Sequence, residues 1–202
     1  MLYLFLKKGD KHSAVNNRPV SLTAICCKVL EHIITSNIRK HLSHNKILHD
    51  CQHGFRSKRS CETQLFISIQ DLAKSLADGN QIDIILLDFS KAFDKVPHQR
   101  LIHKLNYYGI RDKNLNWITD FLENRQQQVL LNSITSSKLS VDSGVPQGTV
   151  LAPTLFLLFI NDLPEHVNCN VRLFADDCLL YRNVNIQSES DLLQKDLTNL
   201  AN

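Results

Sequence analysis

The sequence has little of what marks the more specialised classes of protein. None of its six cysteines forms a Cys-x-x-Cys pair, so we expect neither a structural zinc site nor a disulfide framework. The longest apolar run, 150–160, contains Pro153 and has about half the length that a bilayer-spanning helix needs. No basic stretch precedes the apolar residues at the N-terminus, so we predict no signal peptide. We therefore expect a reduced, intracellular protein without a membrane partner.

Glycine and proline are also scarce, at 6 and 5 of 202 residues, and neither an internal repeat nor a low-complexity linker is present. With 43% hydrophobic and 21% charged residues, the composition is that of a globular protein. A chain of this length can bury a substantial core. A wholly disordered or fibrous protein is thereby excluded.

Charge is unevenly distributed along the chain. The formal net charge is +3, but Lys and Arg outnumber Asp and Glu by 11 to 3 within residues 1–60, and they are outnumbered by 17 to 12 in the remainder. A basic first third favours an anionic partner, and an acidic remainder favours a cation site. Charge alone names neither partner.

The periodicity of apolar residues predicts alternating groups of helices and strands. Helices are predicted at about 24–44, 61–78, 97–108, 112–124, 149–163 and 188–200. Strands are predicted for a buried central run at 82–87, for a hairpin of 126–132 with 137–142, and for a second hairpin of 171–175 with 178–181. Because the order lacks a regular strand–helix–strand alternation, we predict an α+β fold with an antiparallel sheet.

Three carboxylates occupy positions where folding does not require them. Asp88 ends the apolar strand, and Asp176 and Asp177 interrupt an apolar hairpin. Adjacent like charges raise the free energy unless a cation or a proton relieves them. Carboxylates suit Mg²⁺, and two such ions can hold the attacking and leaving oxygens of a phosphoryl transfer. The simpler alternatives are an Asp-rich turn and a helix N-cap at Asp88.

Five sequence blocks, in one order over about residues 4–200, resemble the motifs of reverse transcriptases. Three of them resemble the core palm motifs: Leu87–Asp94, Gly144–Gly148 and Phe174–Asp177. The others are similar to fingers motifs: Lys7–Asp10 together with Asn17–Leu22, and Gln52–Arg56. The sequence Lys-Ala-Phe-Asp-Lys-Val that follows Asp88 is similar to the corresponding segment of non-LTR retrotransposons of the jockey and LINE-like group.

This resemblance implies a right-hand polymerase fold, with an antiparallel palm sheet packed by helices. Residues 1–80 would be a fingers-like region and residues 81–202 a palm truncated before the thumb, so that the thumb is expected to be missing. The implied activity is RNA-directed DNA polymerisation, which extends a DNA primer with dNTPs on an RNA template. Two Mg²⁺ ions are implied as cofactors, with Mn²⁺ as a possible substitute. The family further implies a location in the nucleus and cytoplasm.

The resemblance also assigns roles to individual residues. Asp88 and Asp176 match the two principal metal ligands, with Asp177 beside them in the same motif. Phe93 matches an aromatic residue that meets the 2′ carbon of the sugar and favours deoxynucleotides, although it would also suit a core. Gln147 and Gly148 match the loop that lines the incoming nucleotide, although Gln147 alone could cap a helix.

Basic residues complete the implied site. Arg18 matches an arginine that pairs with the triphosphate, since a guanidinium binds phosphate oxygens in two parallel hydrogen bonds. Lys7 or Lys8 could assist it. Arg56 and Lys58, with Arg59, match a contact to the template strand, although a solvated basic face would look the same.

Three alternatives remain open beside an active polymerase. One is a catalytically silent remnant of such an element that still binds nucleic acid. Another is a maturase of the group II intron type, which belongs to the same class. The third, a nuclease of the integrase or ribonuclease H type, explains neither the Pro-Gln-Gly loop nor Phe93.

Overall fold

The computed structural model describes residues 2–6, 9, 10, 13, 16–131 and 133–201. Its helices are α1 (Ile25–His44), α2 (Cys61–Ala77), α3 (His98–Tyr107), α4 (Asp112–Leu122), α5 (Ala152–Ile160) and α6 (Gln187–Ala201). Its strands are β1 (Leu2–Leu6), β2 (Asn17–Ser21), β3 (Ile82–Asp88), β4 (Arg125–Gln127), β5 (Val129–Leu131), β6 (Ile134–Thr135), β7 (Leu139–Val141), β8 (Asn170–Phe174) and β9 (Asp177–Asn183). The predicted mixture of helices and strands is confirmed. None of the helices among these residues is long and apolar enough to cross a bilayer.

The chain folds into two compact units, each built from two stretches of sequence. The first contains Met1–Asn45 and Lys91–Phe159, and the second contains Lys46–Ser90 and Ile160–Asn202. This grouping differs from a cut at residue 80. The predicted division into a fingers-like region and a palm stays a prediction.

The second unit is built on an antiparallel sheet with the strand order β3-β9-β8. One face of this sheet forms the core, where Cys51, Val171, Leu173, Cys178 and Leu180 are buried. The predicted strand at 82–87 is confirmed, but it lies at the edge of the sheet rather than at its centre, and its residues are half-buried or exposed rather than buried. Side chains alternate between the faces of a strand, and therefore Leu86 on the opposite face is 80% exposed.

Helix α2 packs its polar side, not its apolar stripe, against the rest of the second unit. The sequence places Leu65, Ile69, Leu72 and Leu76 on one stripe, yet Gln64 and Ser68 are the buried residues of the helix, and Leu65, Ile69 and Leu76 are more than half exposed. The helix is tied to the sheet by Asp71, whose carboxylate accepts hydrogen bonds from Arg172 and from the Tyr181 hydroxyl. Polar contacts therefore take the place expected of apolar packing.

Loss of the Tyr181–Asp71 hydrogen bond at high pH should destabilise the protein. Burial and the neighbouring Asp71 carboxylate raise the pKa of Tyr181 to about 12, so the folded state keeps the hydroxyl proton more tightly than the unfolded chain does. The stabilisation is complete below pH ~10, the ordinary pKa of tyrosine, and is lost as the pH rises toward 12. In urea unfolding, the free energy of unfolding of the unsubstituted chain should exceed that of Tyr181→Phe, and this difference should shrink across this pH range. A difference in free energy of unfolding that is independent of pH would contradict this prediction.

The first unit holds a sheet with the strand order β2-β1-β5-β6, in which β1 pairs antiparallel with β2 and parallel with β5. The predicted hairpin of 126–132 with 137–142 is only partly correct. Strand β4 does pair antiparallel with β7, but β5 leaves that hairpin for β1. The predicted strands do not include β1 or β2. These two strands pair with each other, but Pro19 within β2 argues against a strand, and the second partner of β1, strand β5, lies far along the chain.

Helix α5 is shorter at both ends than the predicted 149–163. At its start, the buried Glu31 of α1 accepts hydrogen bonds from the backbone N–H groups of Val150 (2.7 Å) and Leu151 (3.1 Å). A carboxylate at this place satisfies amide groups that the helix leaves unpaired and complements its dipole. This connection fixes the loop before α5 within the first unit.

Candidate active site

Pairing of β3 with β9 brings the three predicted carboxylates together in the second unit. The antiparallel register sets Asp88 directly opposite Asp177. Directly paired residues point to the same face of a sheet, and both of these side chains are exposed. Asp176 lies in the turn between β8 and β9, next to Asp177. The structure therefore places all three at one end of one sheet.

The three carboxylates interact electrostatically. Partial burial, followed by the charges of Asp176 and Asp88, raises the pKa of Asp177 above its usual range. Each cause makes the ionised form less favourable, so a bound cation would relieve the repulsion.

Their chemistry fits a divalent cation that also takes ligands from substrate. Among the residues that the structure describes, no three His, Cys, Asp or Glu side chains are arranged to hold a metal ion by themselves. Mg²⁺ is usually bound by one or two carboxylates together with phosphate oxygens and water. Asp88, Asp176 and Asp177 supply hard oxygen donors of that kind.

The turn that carries Asp176 has a strained backbone. Ala175 and Asp176 connect the last residue of β8 to the first of β9, and Ala175 has a φ of +54°. This left-handed region costs free energy for a residue with a Cβ. Such conformations persist where the surrounding structure holds them, and they are frequent in functional sites.

A segment far away in sequence supports this turn. The Gln52 side chain is hydrogen-bonded to the backbone N–H and C=O of Ala175. The backbone of Cys51 and His53 exchanges two hydrogen bonds of 2.9 Å with Leu173 in β8. Gln52 and Gly54 belong to the predicted Gln52–Arg56 motif, but the sequence of this motif does not indicate that it contacts the turn beside the paired aspartates.

The basic residues that follow are bonded within their own loop. The Arg56 guanidinium donates to the carbonyls of His49 (2.8 Å) and Gln52 (3.3 Å), and Arg59 bonds to Asp50. Lys58 is exposed. Contact of Arg56 and Lys58 with a template strand stays a prediction.

The predicted nucleotide-binding residues lie in the first unit. The Phe93 ring stacks on Phe156, with a centroid distance of 4.5 Å and an interplanar angle of 16°. The backbone carbonyl of Phe93 accepts a 2.7 Å hydrogen bond from Val145 N–H. Gln147 donates from Nε2 to a carboxylate oxygen of Asp94 at 3.2 Å. The Pro-Gln-Gly loop is thus attached to the segment that carries Phe93. Asp94, for which no role was predicted, orients Gln147.

Strand β2 approaches the same loop from its other end. The Gln147 carbonyl accepts a 2.7 Å hydrogen bond from Ser21 N–H. Gly148 has a φ of +88°, and a Cβ there would lie 2.7 Å from the Val20 side chain, so glycine is required by both conformation and space. Arg18 lies exposed on the same strand. Lys7 and Lys8 are outside the described residues.

Comparisons with known proteins point to one family. The family model described as reverse transcriptase (RNA-dependent DNA polymerase) matches residues 6–202. A probable RNA-directed DNA polymerase from transposon BS of Drosophila melanogaster is 29% identical, with 98% of this chain and 23% of that protein covered. The RNA-directed DNA polymerase from mobile element jockey of Drosophila funebris is 28% identical, with 96% and 22% covered. The chain therefore spans about a fifth of the length of these relatives.

A solved structure shares the fold at low sequence identity. Telomerase from Candida albicans, solved in complex with a fragment of telomeric RNA, superposes with a TM-score of 0.58 at 13% identity, and covers 87% of this chain and 32% of its own. The α+β polymerase-like fold implied by the motifs is confirmed. Together with the family match over nearly its whole length, this shows that the chain belongs to the reverse transcriptase family.

Proposed function

We propose that this chain is the polymerase region of a non-LTR retrotransposon RNA-directed DNA polymerase, which extends a DNA primer with dNTPs on an RNA template. The observation that carries the proposal is the β3–β9 register, which sets Asp88 opposite Asp177 beside Asp176. Closely spaced carboxylates on a rigid sheet suit a reaction whose catalysis consists of positioning and charge neutralisation.

Reverse transcriptases as a family depend on divalent cations, and we assign Asp88, Asp176 and Asp177 as the residues that would hold two Mg²⁺ ions, or Mn²⁺ in their place. The ions, when bound, supply charge neutralisation for the attacking and leaving oxygens. The contribution of the chain is to hold three oxygen donors at one end of a sheet, two of them in a fixed strand register.

Residues of the first unit are proposed to select and bind the nucleotide. The Phe93 ring, held by stacking on Phe156, would exclude a 2′-hydroxyl by its bulk, and Gln147 and Gly148 would line the nucleotide. Arg18 would bind the triphosphate through its guanidinium. Template and primer would be held mainly through phosphates, with Arg56 and Lys58 contributing, so binding should weaken steeply with salt. A nuclear and cytoplasmic location belongs to the same proposal.

The experiment that tests this function compares incorporation with simple binding. The full chain is incubated with oligo(dT) annealed to poly(rA), labelled dTTP and Mg²⁺, and retention of labelled RNA on a filter is measured in parallel at low salt. We expect incorporation that depends on both the RNA and the divalent cation. Retention of RNA without incorporation would instead identify a catalytically silent nucleic-acid-binding remnant.

A further inference from the structure

We propose that Gln52 is a positioning residue, which holds the Ala175–Asp176 turn so that the carboxylates stay in register for cation binding. The proposal rests on the proposed function, because it concerns the same three carboxylates. Gln52 is not one of those carboxylates, and its side chain is hydrogen-bonded to the backbone of Ala175, the residue before Asp176.

Gln52 has a geometry that few side chains could reproduce. It is 3% exposed, and its Oε1 accepts hydrogen bonds from the N–H groups of Gly54 (2.7 Å) and Ala175 (3.0 Å). Its Nε2 donates to the Ala175 carbonyl at 3.4 Å. Both backbone N–H groups are donors, so the oxygen of the amide must face them, and the nitrogen then faces the carbonyl.

The turn needs such support for two reasons. Ala175 is held in the left-handed region with a φ of +54°, a conformation that relaxes unless neighbours maintain it. The charges of Asp88 and Asp176 also act on Asp177, and like charges favour separation of the strand ends. A side chain that binds both backbone groups of Ala175 opposes both tendencies.

The surrounding segment makes the support rigid. The isolated parallel pairing of Gln52 with Leu173 attaches residues 51–53 to the outer edge of β8. Gly54 then packs so tightly against Ala175 that a Cβ would lie 2.3 Å from the Ala175 nitrogen. The turn is therefore enclosed from its outer side by Gln52 and Gly54, with no room to shift toward them.

The test replaces Gln52 by methionine, which keeps the length of the side chain and removes its hydrogen bonds. The matched control is Gln64→Met, because Gln64 is also a buried glutamine of the second unit, and its Oε1 has no hydrogen-bond partner among the described residues. Hydrogen exchange of the Ala175 amide is measured by NMR in the full chain. We expect this exchange to accelerate at least tenfold in Gln52→Met, whereas the amide of Leu173, bonded to the Cys51 carbonyl, keeps its protection.

Mn²⁺ affinity, measured by electron paramagnetic resonance, is the second readout. We expect a several-fold weaker affinity in Gln52→Met and no change in Gln64→Met. Unchanged exchange at Ala175 would overturn the proposal, and so would faster exchange with unchanged affinity, which would make Gln52 only a contact of the fold. If Gln52→Met does not fold, the shorter Gln52→Asn provides the same comparison. Neither readout requires turnover, so failure of the proposed function would appear separately, as absence of nucleotide incorporation by the unsubstituted chain.

Discussion

Replacing Asp88 with asparagine should reduce RNA-templated nucleotide incorporation by about 100-fold or more, because it removes one of the charges that would hold the divalent cations. The change keeps the size of the side chain and leaves the β3–β9 pairing intact, since that pairing uses backbone groups. Stability should be equal or higher, because one of the like charges acting on Asp177 is lost. Primer extension and thermal unfolding measure the two effects.

Asp83→Asn is the matched control for Asp88→Asn. Asp83 lies on the same strand, but at an odd spacing from Asp88, and so it faces the other side of the sheet. Its carboxylate accepts a hydrogen bond from Gln81. We expect near-normal incorporation in this variant. Equal losses from both substitutions would show that charge on β3 matters in general and that Asp88 has no special role.

Gly54→Ala should have the second largest effect. An added Cβ would lie 2.3 Å from the Ala175 nitrogen and 3.0 Å from its Cα, and backbone atoms cannot move aside as a flexible side chain can. The turn that carries Asp176 must therefore shift, and forcing atoms into a packed region costs about 1–3 kcal/mol of stability. A displacement of about 1 Å at reacting groups costs about 100-fold in rate. Both losses should appear together, in urea unfolding and in primer extension.

Gly79→Ala separates this clash from the general effect of replacing glycine. In the part of the chain that the structure describes, no neighbouring atom lies within 4 Å of a Cβ at Gly79, although its φ of +79° makes alanine strained. We expect a modest loss of stability of about 1 kcal/mol with incorporation per folded molecule unchanged. A Gly54→Ala chain that is as active as Gly79→Ala would contradict the tight packing against Ala175.

Local sequence patterns predicted the elements that carry the site. The apolar run before Asp88 and the hairpin around Asp176 and Asp177 appear close to the predicted bounds, because β-branched residues and alternation act over a few neighbours. The sequence could also suggest that these carboxylates meet, since the hairpin needs a partner strand.

Contacts between distant segments could not be predicted in this way. Gln52 and Ala175 are separated by 123 positions, and the periodicity of apolar residues does not indicate a contact over such a distance. The parallel pairing of β1 with β5 has the same origin. On α2, Asp71 bonds to Arg172 and Tyr181 and turns the polar side of the helix inward, so the apolar stripe that predicted the helix did not predict its packing. Specific polar contacts overrode the expectation from hydrophobicity.

The role proposed for the three carboxylates is template-directed nucleotidyl transfer. Its most direct test is addition of one nucleotide by the full chain, with a DNA primer annealed to an RNA of defined sequence and each dNTP supplied separately with Mg²⁺. We predict that only the dNTP complementary to the template base is added, and that the Asp88→Asn chain adds none above background. Addition without regard to the template, or equal addition by the Asp88→Asn chain, would contradict this role.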